Sequence, residues 1–333
     1  MRTDTNTDTS SPFTGGGQTR QDQTANRRAR RALFGCALVT ILTTLAIFVV
    51  LIDNAASYFF GARITELLAG ASLSQEVTFT EFFTGTRWAP DHATPAHGIV
   101  PIVYGTLVIT VGAAFVSIPI GTATAIYLSE YASDGVRAKL KPTLEILAGI
   151  PTIVYGYFAV AFINPVVLDP LADAVFGVSL GHYSMLSGML VVGIMTIPMV
   201  SSISEDSMSA VPDSLRNGAY ALGATRLDVS TRIVLPASIS GILASYILAV
   251  SRAIGETMAV TLAAGANAQL TANPFDEIMT MTAYMVKMAQ GTSAVGTVEY
   301  QSLFAVGLVL FLMTLAMNLL NDWFKRRFQE EYR

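Results

Sequence analysis

Long apolar runs separated by polar loops dominate the hydrophobic pattern of this chain. Six runs reach the roughly 20 helical residues that are needed to cross a bilayer core about 30 Å thick. All but the fifth contain no Asp, Glu, Lys or Arg. The pattern therefore predicts an all-α integral membrane protein with six transmembrane helices, at residues 33–52, 99–128, 146–168, 183–204, 237–262 and 302–321.

The composition supports this interpretation. Of the 333 residues, 52% are hydrophobic and only 13% are charged, which is too apolar for an ordinary soluble domain. The chain is therefore expected to be a multi-pass protein of the cell membrane.

The distribution of basic residues predicts the orientation, because Lys and Arg accumulate in cytoplasmic loops. With the N-terminus inside, most of the 20 Lys and Arg fall in the two tails and in the loops after the second and fourth spans. Only Arg63, Arg87 and Lys287 fall outside, and Arg252 lies within a span. Both termini are predicted to be cytoplasmic.

The spans divide the chain into segments with different expected roles. Residues 1–32 are predicted to be a disordered tail that ends in a basic membrane anchor, and 53–98 an external loop or cap. The remaining segments are a core with spans two to five at 99–264, an external loop at 265–301, the sixth helix at 302–323 and a cytoplasmic tail at 324–333.

Several chemistries lack the residues they require. No lysine follows a glycine, so the chain has no phosphate-binding loop of the G-x-x-x-x-G-K-[ST] type. Any ATP must therefore be hydrolysed by a partner. His92 and His97 have no cysteine or acidic residue that completes a site, so a solvated loop is favoured over a metal centre. We predict no metal and no bound cofactor.

Residues 205–236, called loop 205–236 below, interrupt the apolar pattern. Asp213 or Ser214 can cap a short helix after Pro212, and Gly223 can end it in the left-handed conformation. Pro236 suits the first turn of the next span. The pattern predicts a helix, a break and a second helix. Two interpretations remain open: an amphipathic connector on the membrane surface, or a docking surface for a cytoplasmic partner.

The sequence resembles the permease subunits of ABC importers at this loop. Their signature, E-A-A-x-x-x-G followed by nine residues and I-x-L-P, is matched from the glycine onward by Gly223, Ile233, Leu235 and Pro236. Asn217 and Gly218 depart from the first two positions of the triplet, which ends at Ala219.

Further stretches are similar to the phosphate-specific, PstC-type branch of these permeases. They fall in order between residues 98 and 264, and they read GIVPIVYGTLVIT, YLSEYA, LAGIPTIVYG and SRAIGETMAV.

The resemblance implies the type I importer permease fold, with loop 205–236 as the coupling helix that docks on an ATPase. The residues that it assigns to this loop are Asn217, Gly218, Ala219, Gly223, Ala224, Ile233, Leu235 and Pro236. It also implies a second permease subunit of PstA type, an ATPase dimer of PstB type and an external phosphate-binding protein of PstS type. No nucleic-acid partner is expected.

Arg252 and Glu256 are the two charged residues of the fifth span, and their spacing of four predicts one helix face. Charges at this depth normally face a bundle interior or an aqueous path. One interpretation is an ion pair that ties helices together. The other is a substrate path, in which Arg252 binds an oxyanion and Glu256 accepts the proton of hydrogen phosphate.

The sequence thus predicts the permease subunit of an ATP-driven phosphate importer. A permease for another oxyanion, such as sulfate or molybdate, and a membrane signalling scaffold without transport of its own are the alternatives.

Overall fold

A computed structural model describes residues 20–61, 77–291, 294 and 296–328, of which the side chains of 20–27 and 325–328 are outside the description. The regular secondary structure of the described chain is helical apart from one short hairpin. It forms two compact units, Met1–Val50 and Leu51–Arg333.

Helix α1 covers Arg20–Phe60 and contains the predicted first span within its apolar part, Arg28–Phe60. Residues 20–32, predicted to belong to a disordered tail, are therefore helical. Arginine is a good helix former, so the basic run can continue the helix beyond the apolar segment. The rest of the predicted tail, residues 1–19, lies outside the described residues.

The second unit contains the remaining elements. In chain order they are α2 (Phe79–Thr84), β1 (Trp88–Ala89), β2 (Ala96–His97), α3 (Val100–Ile126), α4 (Asp134–Ala148), α5 (Thr152–Phe158), α6 (Asp169–Phe176), α7 (Met185–Ser209), α8 (Asp213–Ala221), α9 (Arg226–Val229), α10 (Leu235–Ala237), α11 (Ile239–Ile254), α12 (Met258–Ala264), α13 (Met281–Gln290) and α14 (Val298–Phe328). Three π-helical stretches, Tyr127–Tyr131, Ala159–Leu168 and Ser230–Val234, extend or join α-helices in this part of the chain. Strands β1 and β2 are antiparallel, with Trp88 opposite His97.

The described chain has five helical stretches that are long and apolar enough to cross a membrane. A sixth is added if Arg226–Ala237 and Ile239–Ile254, which bend by 70° at their junction, count as one broken span. The predicted all-helical membrane architecture is confirmed. At its C-terminal end, α14 continues to Phe328, so residues 324–328 extend the last helix instead of starting a separate tail.

Two predicted spans have different boundaries from those expected. The third begins at Thr152, after Pro151, because residues 134–148 form the separate helix α4. The fifth is not a continuous helix: α11 ends at Ile254 and α12 starts at Met258. The carboxylate of Glu256 accepts a hydrogen bond from the Ala259 N–H at 3.1 Å, which satisfies a free donor at the start of α12.

Helices α3 and α7 pack closely because small residues lie between them. A Cβ atom added at Gly121 would lie 2.7 Å from the Val200 side chain, and one at Gly193 would lie 2.7 Å from Val116. Membrane helices commonly approach through such small residues. The two helices thus form the centre of the second unit.

The described part of the predicted external segment packs as an aromatic cluster. Tyr58 and Phe82 are fully buried, and Trp88 meets Tyr284 of α13 edge to face at 5.0 Å between ring centroids. His97 Nδ1 is hydrogen-bonded to the Tyr58 hydroxyl at 2.8 Å. Residues 62–76 of this segment, and 292, 293 and 295 of the 265–301 loop, lie outside the described residues. Residues 265–301 were predicted to form a loop, but they contain helix α13.

Candidate docking surface and translocation path

Loop 205–236 has the helix, break and helix that the sequence predicts. Helix α8 ends at a break where Gly223 has φ of +85°, a conformation that favours glycine. The N–H groups of Gly223 and Ala224 donate to the carbonyls of Tyr220 and Ala219 at 2.9 and 3.1 Å. Thr225 and Asp228 then form a capping box at the start of α9. The break is therefore fixed by its own hydrogen bonds.

The motif residues of loop 205–236 divide into two groups. Ala219 is buried, and Ala224, Ile233 and Leu235 pack against the apolar cluster around Met208 and Val211. The exposed members are Asn217, Gly218, Gly223 and Pro236. The first group holds the loop on the helix bundle, and the second group leaves an accessible outer surface.

Two leucines project from the break in loop 205–236. Leu222 is 90% exposed and Leu227 is 64% exposed, and they lie on either side of Gly223. Neither belongs to the signature motif, so sequence reasoning missed them. Large apolar side chains that flank a glycine in an otherwise polar loop are the signal that could have identified them.

Arg216 anchors α8 to the ends of two other helices. Its guanidinium donates to Glu130 Oε1 at 3.0 Å and to the Met208 carbonyl at 2.8 Å, and it also donates to the Val211 carbonyl. Glu130 lies in the π-helical turn that follows α3, and Met208 lies in the last turn of α7. The ends of α3 and α7 therefore lie together beside α8.

A second ionic cluster surrounds Glu205, which is completely buried at the same end of α7. Its carboxylate accepts hydrogen bonds from Arg137, from Lys141 at 2.8 Å and from the Ser209 hydroxyl at 3.1 Å. Hydrogen bonds to Asp206 and Glu205 raise the pKa of Lys141 above its ordinary value. Helix α4 is thereby attached to α7 by charged groups, an arrangement that the sequence did not reveal.

Arg252 and Glu256 do not belong to one continuous helix, so the prediction that they share the face of a single helix was wrong. Arg252 is in the last turn of α11, whereas Glu256 lies in the break before α12. Arg252 is exposed, and within the described ranges its guanidinium has no hydrogen bond or ion pair. The interpretation as a mutual ion pair therefore has no support in this geometry.

Glu256 is only 7% exposed. Besides its bond with the Ala259 N–H, its backbone carbonyl accepts a hydrogen bond from the Thr282 hydroxyl at 2.6 Å. The break is thus connected to the start of α13. This arrangement places a buried carboxylate and an unpaired guanidinium at a helix interruption, where a polar solute can be bound in a membrane protein.

Comparison with known proteins identifies the wider group. Residues 117–330 match the family model described as binding-protein-dependent transport system inner membrane component. A probable ABC transporter permease protein, YqgH of Bacillus subtilis, is 33% identical over 300 residues that cover 90% of this chain and 91% of the relative. The phosphate transport system permease protein PstC of Mesorhizobium japonicum is 31% identical, with 76% of this chain and 80% of the relative covered.

A solved structure shares the fold. In the crystal structure of a bacterial alginate ABC transporter in complex with alginate pentasaccharide-bound periplasmic protein, one chain superimposes with a TM-score of 0.61. The match covers 91% of this chain and 96% of that chain at 15% identity. The family match covers more than half of the chain, and its description places the chain in the inner membrane as part of a transporter. The chain therefore belongs to the family of binding-protein-dependent transport system inner membrane components, which work in ABC importers with a partner permease, an ATPase and a substrate-binding protein.

Proposed function

We propose that the chain is the permease subunit of an ATP-driven importer of inorganic phosphate. The observation that carries this proposal is the pair of exposed leucines at the fixed break of loop 205–236, in a chain that has no Gly-Lys phosphate-binding loop. An apolar projection on a rigid loop is suited to a groove on a separate ATPase. The phosphate specificity is supported by the name of the Mesorhizobium relative.

The expected assembly follows from this assignment. Loop 205–236 and both termini lie in the cytoplasm, as the distribution of Lys and Arg indicates. The ATPase dimer is of PstB type, the second permease subunit of PstA type and the external phosphate-binding protein of PstS type. The chain itself binds no cofactor, and ATP is hydrolysed by the partner.

The transport cycle couples displacement of loop 205–236 to a conformational change of the two permease subunits. ATP binding closes the ATPase dimer and displaces loop 205–236, and the two permease subunits shift from an inward-open to an outward-open state. The free energy of ATP hydrolysis thus drives transport of the solute, and this chain forms or breaks no covalent bond.

The substrate path in this proposal passes the interruption between α11 and α12. The guanidinium of Arg252 is unpaired in the described chain, so its planar donors are available to an oxyanion. Glu256 uses one carboxylate oxygen for the Ala259 N–H, which leaves the other for the proton of hydrogen phosphate. Sulfate carries no proton at neutral pH, so it would repel the same carboxylate.

Uptake into proteoliposomes tests the assignment. The chain is co-purified with its second permease and ATPase, and uptake of labelled phosphate is measured with ATP, with and without the external binding protein. We expect ATP-dependent uptake that excess phosphate suppresses and excess sulfate does not. Suppression by sulfate or molybdate would indicate a permease for another oxyanion, and ATPase binding without any uptake would indicate a signalling scaffold.

A further inference from the structure

The ion pair between Arg216 and Glu130 joins two segments that lie 86 residues apart in sequence. Arg216 belongs to α8, Glu130 follows α3, and the carbonyl acceptors Met208 and Val211 lie at and just after the end of α7. A single side chain therefore connects the outer helix of loop 205–236 to the ends of two central membrane helices.

This ion pair is shielded from solvent. Its side chains are 13% exposed for Arg216 and 5% exposed for Glu130. Removing one partner of a buried ion pair leaves an uncompensated charge, so separating the pair is strongly unfavourable. The three segments are consequently expected to move together.

Apolar contacts alone hold α8 much less firmly. In the described chain, Ala219 is the residue by which α8 enters the buried apolar cluster next to Met208 and Val211. A methyl group contributes little burial compared with a large side chain. The position of α8 relative to the bundle therefore depends mainly on Arg216.

An exposed lysine of α4 provides a matched control for the buried pair. Lys139 is exposed, and within the described residues its ammonium makes no hydrogen bond or ion pair. Exposed cations contribute little to stability. Lys139 also lies outside loop 205–236, so its substitution leaves the docking surface unchanged.

The second cluster extends the connection to α4. Arg137 donates to the Ser209 hydroxyl at 2.9 Å and also to Glu205. Arg137, Ser209, Glu130 and Arg216 line a common cavity of about 410 Å³. Helix α4 and the ends of α3 and α7 thus form one charged framework beneath α8.

We propose that Arg216 is a positioning residue that transmits displacement of α8, caused by the ATPase, to the ends of α3 and α7. This role rests on the proposed function, because it presumes that an ATPase docks on the loop. Its structural basis is the set of contacts that Arg216 makes with Glu130, Met208 and Val211. Without the ion pair, α8 can move with the ATPase while the end of α3 remains in place.

The test measures phosphate transported per ATP hydrolysed in proteoliposomes that contain the complete complex. The variants are Glu130→Gln, Arg216→Gln and the double variant, with Lys139→Gln as the control and Glu130→Asp as the charge-conserving variant. Co-purification of the ATPase and its hydrolysis rate are recorded for each complex.

We expect Glu130→Gln and Arg216→Gln to keep the ATPase bound and hydrolysing while transport per ATP falls about tenfold. The double variant should be no worse than Arg216→Gln alone, because that substitution already removes the ion pair. Lys139→Gln should resemble wild type, and Glu130→Asp should restore part of the ratio.

Two results would overturn the role of Arg216. One is a wild-type ratio in both single variants. The other is a loss of uptake in strict proportion to lost ATPase binding, which a purely structural role would produce. If Arg216→Gln does not assemble, Glu130→Gln decides, since it keeps the size of the side chain. A wild-type complex that fails to take up phosphate would instead contradict the proposed function.

Discussion

Arg216 and Arg252 are both charged residues of a largely apolar protein, but their surroundings differ. Arg216 donates to two carboxylates, those of Glu130 and Asp213, and to two carbonyl groups at one end of the bundle. Arg252 is exposed at the end of α11 and has no partner in the described chain. A guanidinium that donates hydrogen bonds to the protein holds its segments together, whereas one without such bonds can donate to a ligand. The difference indicates why similar residues are assigned to coupling and to transport.

The two helix breaks differ in the same way. At Gly223 the backbone has φ of +85°, and hydrogen bonds close the end of α8. Gly255 has an ordinary φ of −89°, and a carboxylate caps the start of the next helix. One break is a rigid turn that requires glycine, and the other is a polar gap that contains an acid.

The largest expected effect is that of Arg252→Gln. If Arg252 binds the anion in transit, its loss should reduce phosphate uptake at least roughly thirtyfold, since an unpaired partner charge costs 2 kcal/mol or more. Assembly with the ATPase should not change, because Arg252 makes no hydrogen bond or ion pair in the described chain. Uptake and co-purification are measured in parallel with Lys139→Gln, and normal uptake in Arg252→Gln would contradict the assignment.

A smaller effect is expected from Leu222→Asp at the break in loop 205–236. Leu222 is 90% exposed, so the substitution should leave the fold intact, while a buried charge in an apolar groove should weaken ATPase binding about tenfold. A binding titration with purified ATPase measures this effect. Leu270→Asp is the control, since Leu270 is also exposed, at 45%, in the 265–301 loop. Equal binding by Leu222→Asp and wild type would favour the surface-connector interpretation of the loop.

Glu256→Gln should have a moderate effect that concerns selectivity. Glutamine can still accept the hydrogen bond from Ala259, so assembly should persist, but it no longer accepts the proton of hydrogen phosphate. We expect phosphate uptake to fall roughly fivefold, equivalent to about 1 kcal/mol. Competition by sulfate should increase at the same time. An unchanged response to sulfate would show that Glu256 takes no part in discrimination.

The smallest effect is expected from alanine substitutions at two glycines of loop 205–236, which should change the stability of the protein in opposite directions. Gly223→Ala should destabilise the protein by about 1 kcal/mol, because alanine is strained at positive φ. Gly218→Ala should stabilise it by up to about 1 kcal/mol, since an added Cβ would meet nothing within 4 Å. Thermal unfolding of the detergent-solubilised chain measures both. Equal shifts for the two variants would show that the break does not depend on left-handed backbone.

Much of the fold could be predicted because a membrane helix can be identified from the apolar composition of one continuous stretch of residues. The spans near 33–52, 99–128, 183–204 and 302–321 occur within or close to observed helices. The third span was predicted to start too early because residues 146–150 are apolar enough to continue it, although Pro151 precedes the helix. The prediction of the fifth span as one continuous helix was wrong. Hydropathy does not reveal the break of three residues between α11 and α12, which is stabilised by contacts with Ala259 and Thr282.

The candidate sites were predicted less completely. The spacing of Gly223, Ile233, Leu235 and Pro236 identified the loop, because a helix end and a turn are local events. The acceptors of Arg216 could not be found in this way, since Glu130 lies far from it in the chain. Likewise, Glu205 gave no sign that Arg137 and Lys141 would surround it.

The sequence by itself determined that this chain crosses a membrane as helices and has a glycine-centred break between two of them. These features depend on hydropathy and backbone preference over a few neighbouring residues. Only the tertiary structure decided which charges are paired. Arg216 acquires its partners because the packing of α3 against α7 brings their ends together, whereas Arg252 makes no hydrogen bond or ion pair with a described side chain. Pairing depends on the distance between segments far apart in sequence, which local pattern does not contain.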